Sequence, residues 1–264
     1  MAFRVGCTQP QSYPEHTRCQ PRRDFLVYHA MAIGLRNLSF LLLPGRCVLC
    51  ELPTLRSADL CLTCEQAMAD RQSRCQCCAL PLPAPGWCGE CQRDTPPFTR
   101  TITGCDYRDP ARTLVLRLKH QRDLAAGRAL AQLLYHHITP NYVGDNLPDG
   151  LVAVPQHWRR TLARGFNQAR ELANHLGTEL GIPVIDNSRR LRHHPSQQGQ
   201  NRQARLRNIK GSFDVRKTLD RRHVAIVDDV MTTGSTVRAL ALSLQEAGAD
   251  RVDVWCVART ALEK

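Results

Sequence analysis

The sequence predicts an α/β protein in which a parallel sheet is covered by helices on both faces, preceded by a small module built on cysteine. Three observations predict it. Short apolar, β-rich runs at Leu151–Pro155, His223–Val227 and Val252–Val257 alternate with segments of helical period. Eight of the thirteen cysteines form four C-x-x-C pairs crowded between Cys47 and Cys91. The run His223–Thr236 places two adjacent acids and a string of threonine, glycine and serine between a strand and a helix, where backbone N–H groups are free to bind a ligand.

A chain of 264 residues holds one α/β domain and something small beside it. With 42% hydrophobic and 23% charged residues it is neither wholly disordered, nor collagen-like, nor a multi-pass membrane protein. The longest near-continuous apolar stretch, Leu38–Leu43, falls far short of the ~20 residues of a membrane helix, so no span is expected. Lys and Arg number 36 against 24 Asp and Glu, a net charge of +12. That surplus favours a polyanionic partner, a phosphate-rich ligand or nucleic acid, over a merely basic surface only when a site is found for it. An odd cysteine count packed into one stretch, with no signal-peptide pattern ahead of it, points to reduced metal ligands in a cytoplasmic protein.

Along the chain, residues 1–43 read as a poorly ordered extension, with Pro10, Pro14 and Pro21 among Arg, Gln and His, and with Met31 as an alternative start. Cys7 and Cys19 there are incidental. Residues 44–97 are the cysteine module, closed by Pro96-Pro97, and 98–264 the α/β domain. Asp109-Pro110 starts a helix, Asp as N-cap and Pro at the first helical position, and Leu114, Val115 and Leu118 follow at helical spacing. A second helix spans Ala125–Ile138. The strand Leu151–Pro155 leads to a helix over Ala163–Leu180, whose Phe166, Ala169, Leu172, Ala173, Leu176 and Leu180 share a face. Ile182–Ile185 is a weaker strand. After the strand His223–Val227 come a helix over Thr236–Ala247, stopped by Gly248, and the last strand, Val252–Val257.

In the module, Cys47 and Cys50 are followed by Cys61 and Cys64, then Cys75 and Cys78 by Cys88 and Cys91. Two residues between thiolates let both sulfurs of a tight knuckle reach one tetrahedral Zn²⁺, and two knuckles close a four-sulfur site. The eight cysteines therefore make two structural zinc sites with no open coordination position. Cys77 is a spare thiol. An iron–sulfur cluster and a redox C-x-x-C are the competing readings, the second disfavoured by four such pairs in a row.

At the C-terminal end of the His223–Val227 strand, Asp228 and Asp229 suit the vicinal hydroxyls of a ribose. Thr232, Thr233, Ser235 and Thr236 add hydroxyl donors, and Gly234 lets the backbone approach a phosphate held by the helix N-terminus. An ordinary capped turn is the plainer reading. The residues Val224–Thr236 resemble the phosphoribosyl-pyrophosphate signature of the type I phosphoribosyltransferases. Tyr107, Leu114, Leu118, Lys119 and His120, with Val154-Pro155, Arg164-Gly165-Phe166-Asn167-Gln168-Ala169, Gln197, Arg205, Asn208 and Gly211-Ser212-Phe213, are similar to the ComF family. Its GntX-like branch carries an N-terminal double zinc ribbon of this kind, and the likeness runs over about residues 44–258.

The resemblance implies a type I phosphoribosyltransferase fold, a Rossmann-like parallel sheet. It also implies phosphoribosyl pyrophosphate or a related phosphorylated ribose as ligand, with Mg²⁺ bridging pyrophosphate and ribose hydroxyls. Asp228 and Asp229 would hold the hydroxyls beside the charge that develops on the ribose, and Lys119, Arg164 and Arg205 are the candidate cations for pyrophosphate. Arg205 lies in a basic segment that contains no acid from Asn187 through Phe213 and that could instead meet nucleic acid backbone. Three functions stand beside one another: a protein of competence-type DNA uptake or use of DNA as nutrient, with single-stranded DNA or competence-type proteins as partners; a phosphoribosyltransferase acting on an unidentified base; and a sensor that binds the ligand without turning it over.

Overall fold

The computed structural model describes residues 45–54, 56, 58–69, 72–156, 165–191, 212–216, 219 and 222–261. The cysteine module comprises two alike halves. In the first, β1 (Gly45–Arg46) pairs antiparallel with β2 (Pro53–Thr54) ahead of α1 (Leu62–Met68). In the second, β3 (Ser73–Arg74) pairs with β4 (Pro81–Leu82) ahead of α2 (Gly89–Arg93). Each knuckle closes the same way: Glu51 donates its N–H to the Cys47 carbonyl and Ala79 its own to the Cys75 carbonyl, both at 2.9 Å, with both donors in the left-handed region. Cys61 and Cys88 cap α1 and α2, their Sγ atoms accepting from Cys64 N and Cys91 N at 3.5 Å.

After the module come β5 (Thr101–Asp106), α3 (Ala111–Gln121), α4 (Leu124–Ile138), a 3₁₀ turn at Thr139–Tyr142 and β6 (Gly150–Ala153). Then follow α5 (Gln168–Leu180), β7 (Ser188–Arg190), β8 (Phe213–Val215), β9 (His223–Met231), α6 (Ser235–Glu246) and β10 (Arg251–Arg259). The central sheet is parallel in the order β5-β10-β9-β6. β9 and β10 are near-continuous apolar runs because strands buried on both faces need no polar alternation. Helices α4 and α5 pack together against β5, β6 and β9, while α6 packs on β9 and β10. Among the described residues no helix is long and apolar enough to cross a membrane.

Several elements differ from the sequence reading. α3 begins at Ala111 and Pro110 stands at its N-cap with no side-chain bond; Asp109 accepts instead from the Thr113 hydroxyl at 2.8 Å. α5 begins at Gln168, since Asn167 caps it, accepting from Ala169 N at 3.1 Å while donating to the Val154 carbonyl at 3.1 Å; residues 157–164 lie outside the described residues. Ile182–Ile185 forms only a bridge, Leu151 to Val184, in which Pro183 supplies a carbonyl but has no N–H to extend the ladder. β9 runs on to Met231, paired with β10 as far as Arg259, so Asp228 and Asp229 lie inside the strand rather than past its end. β5, β7 and β8 are additional elements, and β7 pairs antiparallel with β8.

At the N-terminal end of the sheet, Asp253 of β10 is fully buried and gathers five donors. Tyr142 Oη lies at 2.7 Å, His223 Nε2 at 3.1 Å, Arg100 Nε at 3.2 Å, and Arg251 reaches it through Nη2 at 3.3 Å and Nε at 3.4 Å. Burial raises the Asp253 pKa, but the bonds from His223 and Tyr142 and the charges of Arg100 and Arg251 outweigh it, so the net shift is downward. A carboxylate held below its unfolded value stabilises the fold above that value and loses the contribution as pH falls. Asp253→Ala is expected to cost about 3–5 kcal/mol at pH 7, because it leaves cations and hydroxyls buried without their acceptor. Urea unfolding measures this, and the gap between variant and wild type narrows on acidification below pH ~4.

Candidate functional site

The chain leaves β6 through α5 toward Val184, on the far side of β6 from β9, and leaves β9 through α6 toward β10 in the opposite direction. A crevice therefore opens between the C-terminal ends of β6 and β9, the place where open parallel sheets bind ligands. Asp228 and Asp229 stand at its edge. Asp229 is 9% exposed, its Oδ1 accepts from Val230 N at 2.6 Å, and its Oδ2 meets Lys119 Nζ of the last turn of α3 at 3.0 Å. Asp228 Oδ1 accepts from Asp229 N at 2.9 Å. Burial, and then the like charge of Asp229, push the Asp228 carboxyl up to about 8, against the opposing pull of Lys119 and Arg190. The pair thus lies within the strand rather than at its end as expected from sequence, because β10 continues alongside it.

Beyond Met231 the loop turns outward. Thr232 and Thr233 are exposed, the Thr233 hydroxyl donates to Ser235 Oγ at 3.0 Å, and Gly234 takes φ +74° to start α6. That positive φ disfavours larger residues here, whereas the Met231 methyl 2.6 Å from a built Cβ is the end of a flexible side chain and could give way. The loop, the Ser235 and Thr236 end of α6, the acidic pair and Lys119 are therefore brought together. Arg164 and Arg205, together with Gln197 and Asn208, lie outside the described residues. Gln168 is fully buried and bonded to Gln156, and Phe166 packs against the core.

Two cations near the crevice escaped the sequence reading. Arg122, the left-handed C-cap of α3, lays its guanidinium on Gly165, where any Cβ would overlap it; the glycine after Arg164 was the available signal. Arg190 of β7 stacks 5.6 Å over the Phe213 ring of β8 and acts electrostatically on Asp228. In sequence it looked like one more member of a basic run.

The cysteines form two clusters, Cys47–Cys50–Cys61–Cys64 and Cys75–Cys78–Cys88–Cys91, each with its sulfurs within 4.8 Å of one another. The second is wholly buried. Cys77 stays out of it, its Sγ 3.8 Å from the Phe98 carbonyl. In each cluster burial raises the first thiol, yet backbone N–H groups outweigh it and leave Cys47 at about 6 and Cys75 at about 7, while Cys64 and Cys91 are pushed well up, by burial above all. Four crowded sulfurs that cannot all ionise together are a donor set that a tetrahedral divalent cation completes, and all-thiolate ligation suits Zn²⁺.

Residues 38–92 match the Double zinc ribbon domain, and residues 162–262 match the Phosphoribosyl transferase domain. The chain is 38% identical over 225 residues to the DNA utilization protein YhgH of Salmonella typhimurium, covering 83% of this chain and 99% of that protein. It belongs to the ComF family. The Escherichia coli K12 protein of the same name is 36% identical over 229 residues, with the same coverage. Competence protein F of Haemophilus influenzae is 33% identical over 178 residues, 65% of this chain and 78% of that one. This ComF chain therefore joins a zinc-binding double ribbon to a phosphoribosyltransferase-like parallel sheet.

Two measurements follow from this geometry. Cys61→Ser should release one of two zinc equivalents and unfold the first half of the ribbon locally; retention of both would overturn the pairing of ligands. A carboxyl whose pKa is raised in the folded state costs the fold stability as pH climbs from its unfolded value through the folded one. Asp228→Asn keeps the acceptor for Asp229 N and should therefore raise Tm by about 5 °C at pH 8.5 and by much less at pH 5. Differential scanning calorimetry at the two pH values tests the sign.

Proposed function

We propose that this protein binds phosphoribosyl pyrophosphate with Mg²⁺ in the β6–β9 crevice and uses that site in handling DNA, in competence-type uptake or in the use of DNA as a nutrient. The observation that carries the reading is the pairing of Asp228 and Asp229 with an exposed hydroxyl loop at the switch point of a parallel sheet. The carboxylates accept from the ribose hydroxyls. The Thr232–Thr236 turn offers N–H and hydroxyl donors to the 5-phosphate, favoured by the α6 dipole. Lys119, held against Asp229, is placed to turn toward a pyrophosphate, and Arg164 and Arg205 remain candidates for the same task. Asp228 and Asp229 would hold the ribose hydroxyls to which Mg²⁺, shared with the pyrophosphate, would bring charge neutralisation. In this reading residues 44–97 are the ribbon and 98–264 the ligand-binding domain.

The DNA role draws on the names of the relatives and on the net charge of +12, which suits a phosphate backbone. Turnover onto a base has no specific observation in its favour, since no base-recognition segment stands out.

Titration calorimetry of the zinc-loaded protein with phosphoribosyl pyrophosphate tests the site. Micromolar affinity that disappears without Mg²⁺ and is abolished by Asp229→Asn in a folded protein is the expected result; no binding overturns the reading. Single-stranded DNA binding, measured across a salt series, is expected to weaken steeply with salt and to survive Asp228→Asn.

A further inference from the structure

The strongest unassigned feature is a buried guanidinium at the C-terminal end of β10. Arg259 is 2% exposed, and among the described residues it has no carboxylate partner. Its Nε donates to the Cys78 carbonyl at 3.0 Å. Its Nη1 donates to the carbonyls of Met231 at 3.0 Å, of Thr260 at 2.8 Å and of Thr232. One rigid fork thus clamps the second cysteine knuckle to the residues from which the Thr232–Gly234 loop emerges. A buried cation satisfied only by carbonyls is stable while those carbonyls stay convergent, since moving any one away strands part of the charge.

The other flank of the loop is tied to the same half of the ribbon. Arg238, in the first turns of α6, reaches Asp94 with Nη1 to Oδ2 at 3.2 Å and Nη2 to the carbonyl at 2.9 Å. Asp94 is the C-cap of α2, the short helix that Cys88 caps and in which Cys91 lies. The first cluster makes its contacts elsewhere: Arg117 of α3 donates to the Val48 carbonyl, and Arg128 and His136 of α4 meet Asp59 at 2.7 Å and Glu65 at 2.6 Å.

We infer that the Cys75–Cys78–Cys88–Cys91 cluster, acting through Arg259 and Arg238, sets the shape of the Thr232–Gly234 loop, so that metal in the second cluster and not in the first controls the readiness of the ligand site. Arg259 is a positioning residue. The four sulfurs fix the Cys78 knuckle and the α2 cap only while a cation holds them together. When they separate, both anchors of the loop shift at once. Loss of the second zinc would then loosen the loop without breaking the sheet below it.

The consequence for affinity rests on the phosphoribosyl reading; the consequence for loop motion does not. Hydrogen exchange on the full, zinc-loaded chain without ligand reads the second directly. Amides of Thr232–Ser235 are expected to exchange about tenfold faster in Arg259→Lys and in Cys88→Ser, and within about twofold of wild type in Cys61→Ser. Arg259→Lys keeps the buried charge and is expected to keep both zinc equivalents, but an ammonium cannot span the knuckle and the loop together. Should Cys88→Ser fail to fold, Arg259→Lys and Arg238→Gln decide the matter. Unchanged exchange in these variants, or equal loosening in Cys61→Ser, overturns the inference. Phosphoribosyl pyrophosphate affinity, measured alongside, is expected to fall about tenfold in Arg259→Lys. If the wild type binds no phosphoribosyl pyrophosphate while loop exchange follows the second cluster, the ligand reading fails and the coupling stands. If wild type and all variants bind alike, the coupling fails and the ligand reading stands.

Discussion

Strand β10 lies between β5 and β9 and buries a full charge near each of its ends. Asp253 at one end collects Tyr142, His223, Arg100 and Arg251, and Arg259 at the other collects four carbonyls. A charge taken out of water is tolerated only where convergent partners replace its hydration, so each end fixes the segments that supply those partners. The Asp253 end locks β10, the start of β9 and the turn after α4 into register. The Arg259 end takes three of its four carbonyls from the sheet and its loop and the fourth, that of Cys78, from the ribbon, so docking of the small module completes it.

That dependence suits a module with little core of its own. Its strands are two residues long and its helices seven and five, far too small to fold on apolar burial alone. Metal ligation replaces the missing core, so the binding free energy of zinc is folding free energy here. Buried apolar residues of the ribbon such as Leu60 and Met68 join the core cluster, and the polar part of the seam with the α/β domain is bridged by arginines. Arg74 pairs with Asp106 at 2.8 Å, and Arg117, Arg128, Arg238 and Arg259 reach the other way across the same seam. Planar forks with several donors hold carbonyls and carboxylates from different segments in fixed relation, which a lysine in the same places would not do.

Much of this was legible in the sequence wherever the signal was local. C-x-x-C spacing, the apolar runs of β9 and β10 and the small hydroxyl loop each carry their meaning within a few residues. β5 did not, because its Thr101 and Thr103 are polar yet buried, the Thr103 hydroxyl donating to the Cys105 carbonyl at 3.2 Å, so the apolar period is erased. The start of α5 misled because the apolar face reaches back to Phe166 while the cap is set by Asn167 and its bond to a carbonyl on β6. Arg122, Arg190 and Arg259 were the hardest to see. A lone arginine after a helix, within a basic run or at a strand end reads as solvated, and only convergence of distant segments gives it a partner.

The acidic pair shows what the fold gives up for its site. Two adjacent carboxylates in a β-strand, with the half-buried Lys119 3.0 Å from one of them, repel each other, and burial together with that repulsion raises the Asp228 carboxyl. A sheet built only for stability would place apolar residues there, as it does along the rest of β9. The repulsion is relieved by whatever brings positive charge or hydrogen-bond donors to the crevice, so the site is poised to gain stability on binding. Lys119 supplies part of that charge in the free protein, and its bond to Asp229 must loosen if the lysine is to serve an incoming anion. The Thr232–Gly234 loop, to which the proposed function gives the phosphate, is meanwhile held from outside by Arg259 and Arg238. On the proposed function, the crowded acids and the clamped loop are two halves of one arrangement, in which the ribbon would carry the ordering of the loop and a bound ligand would relieve the acids.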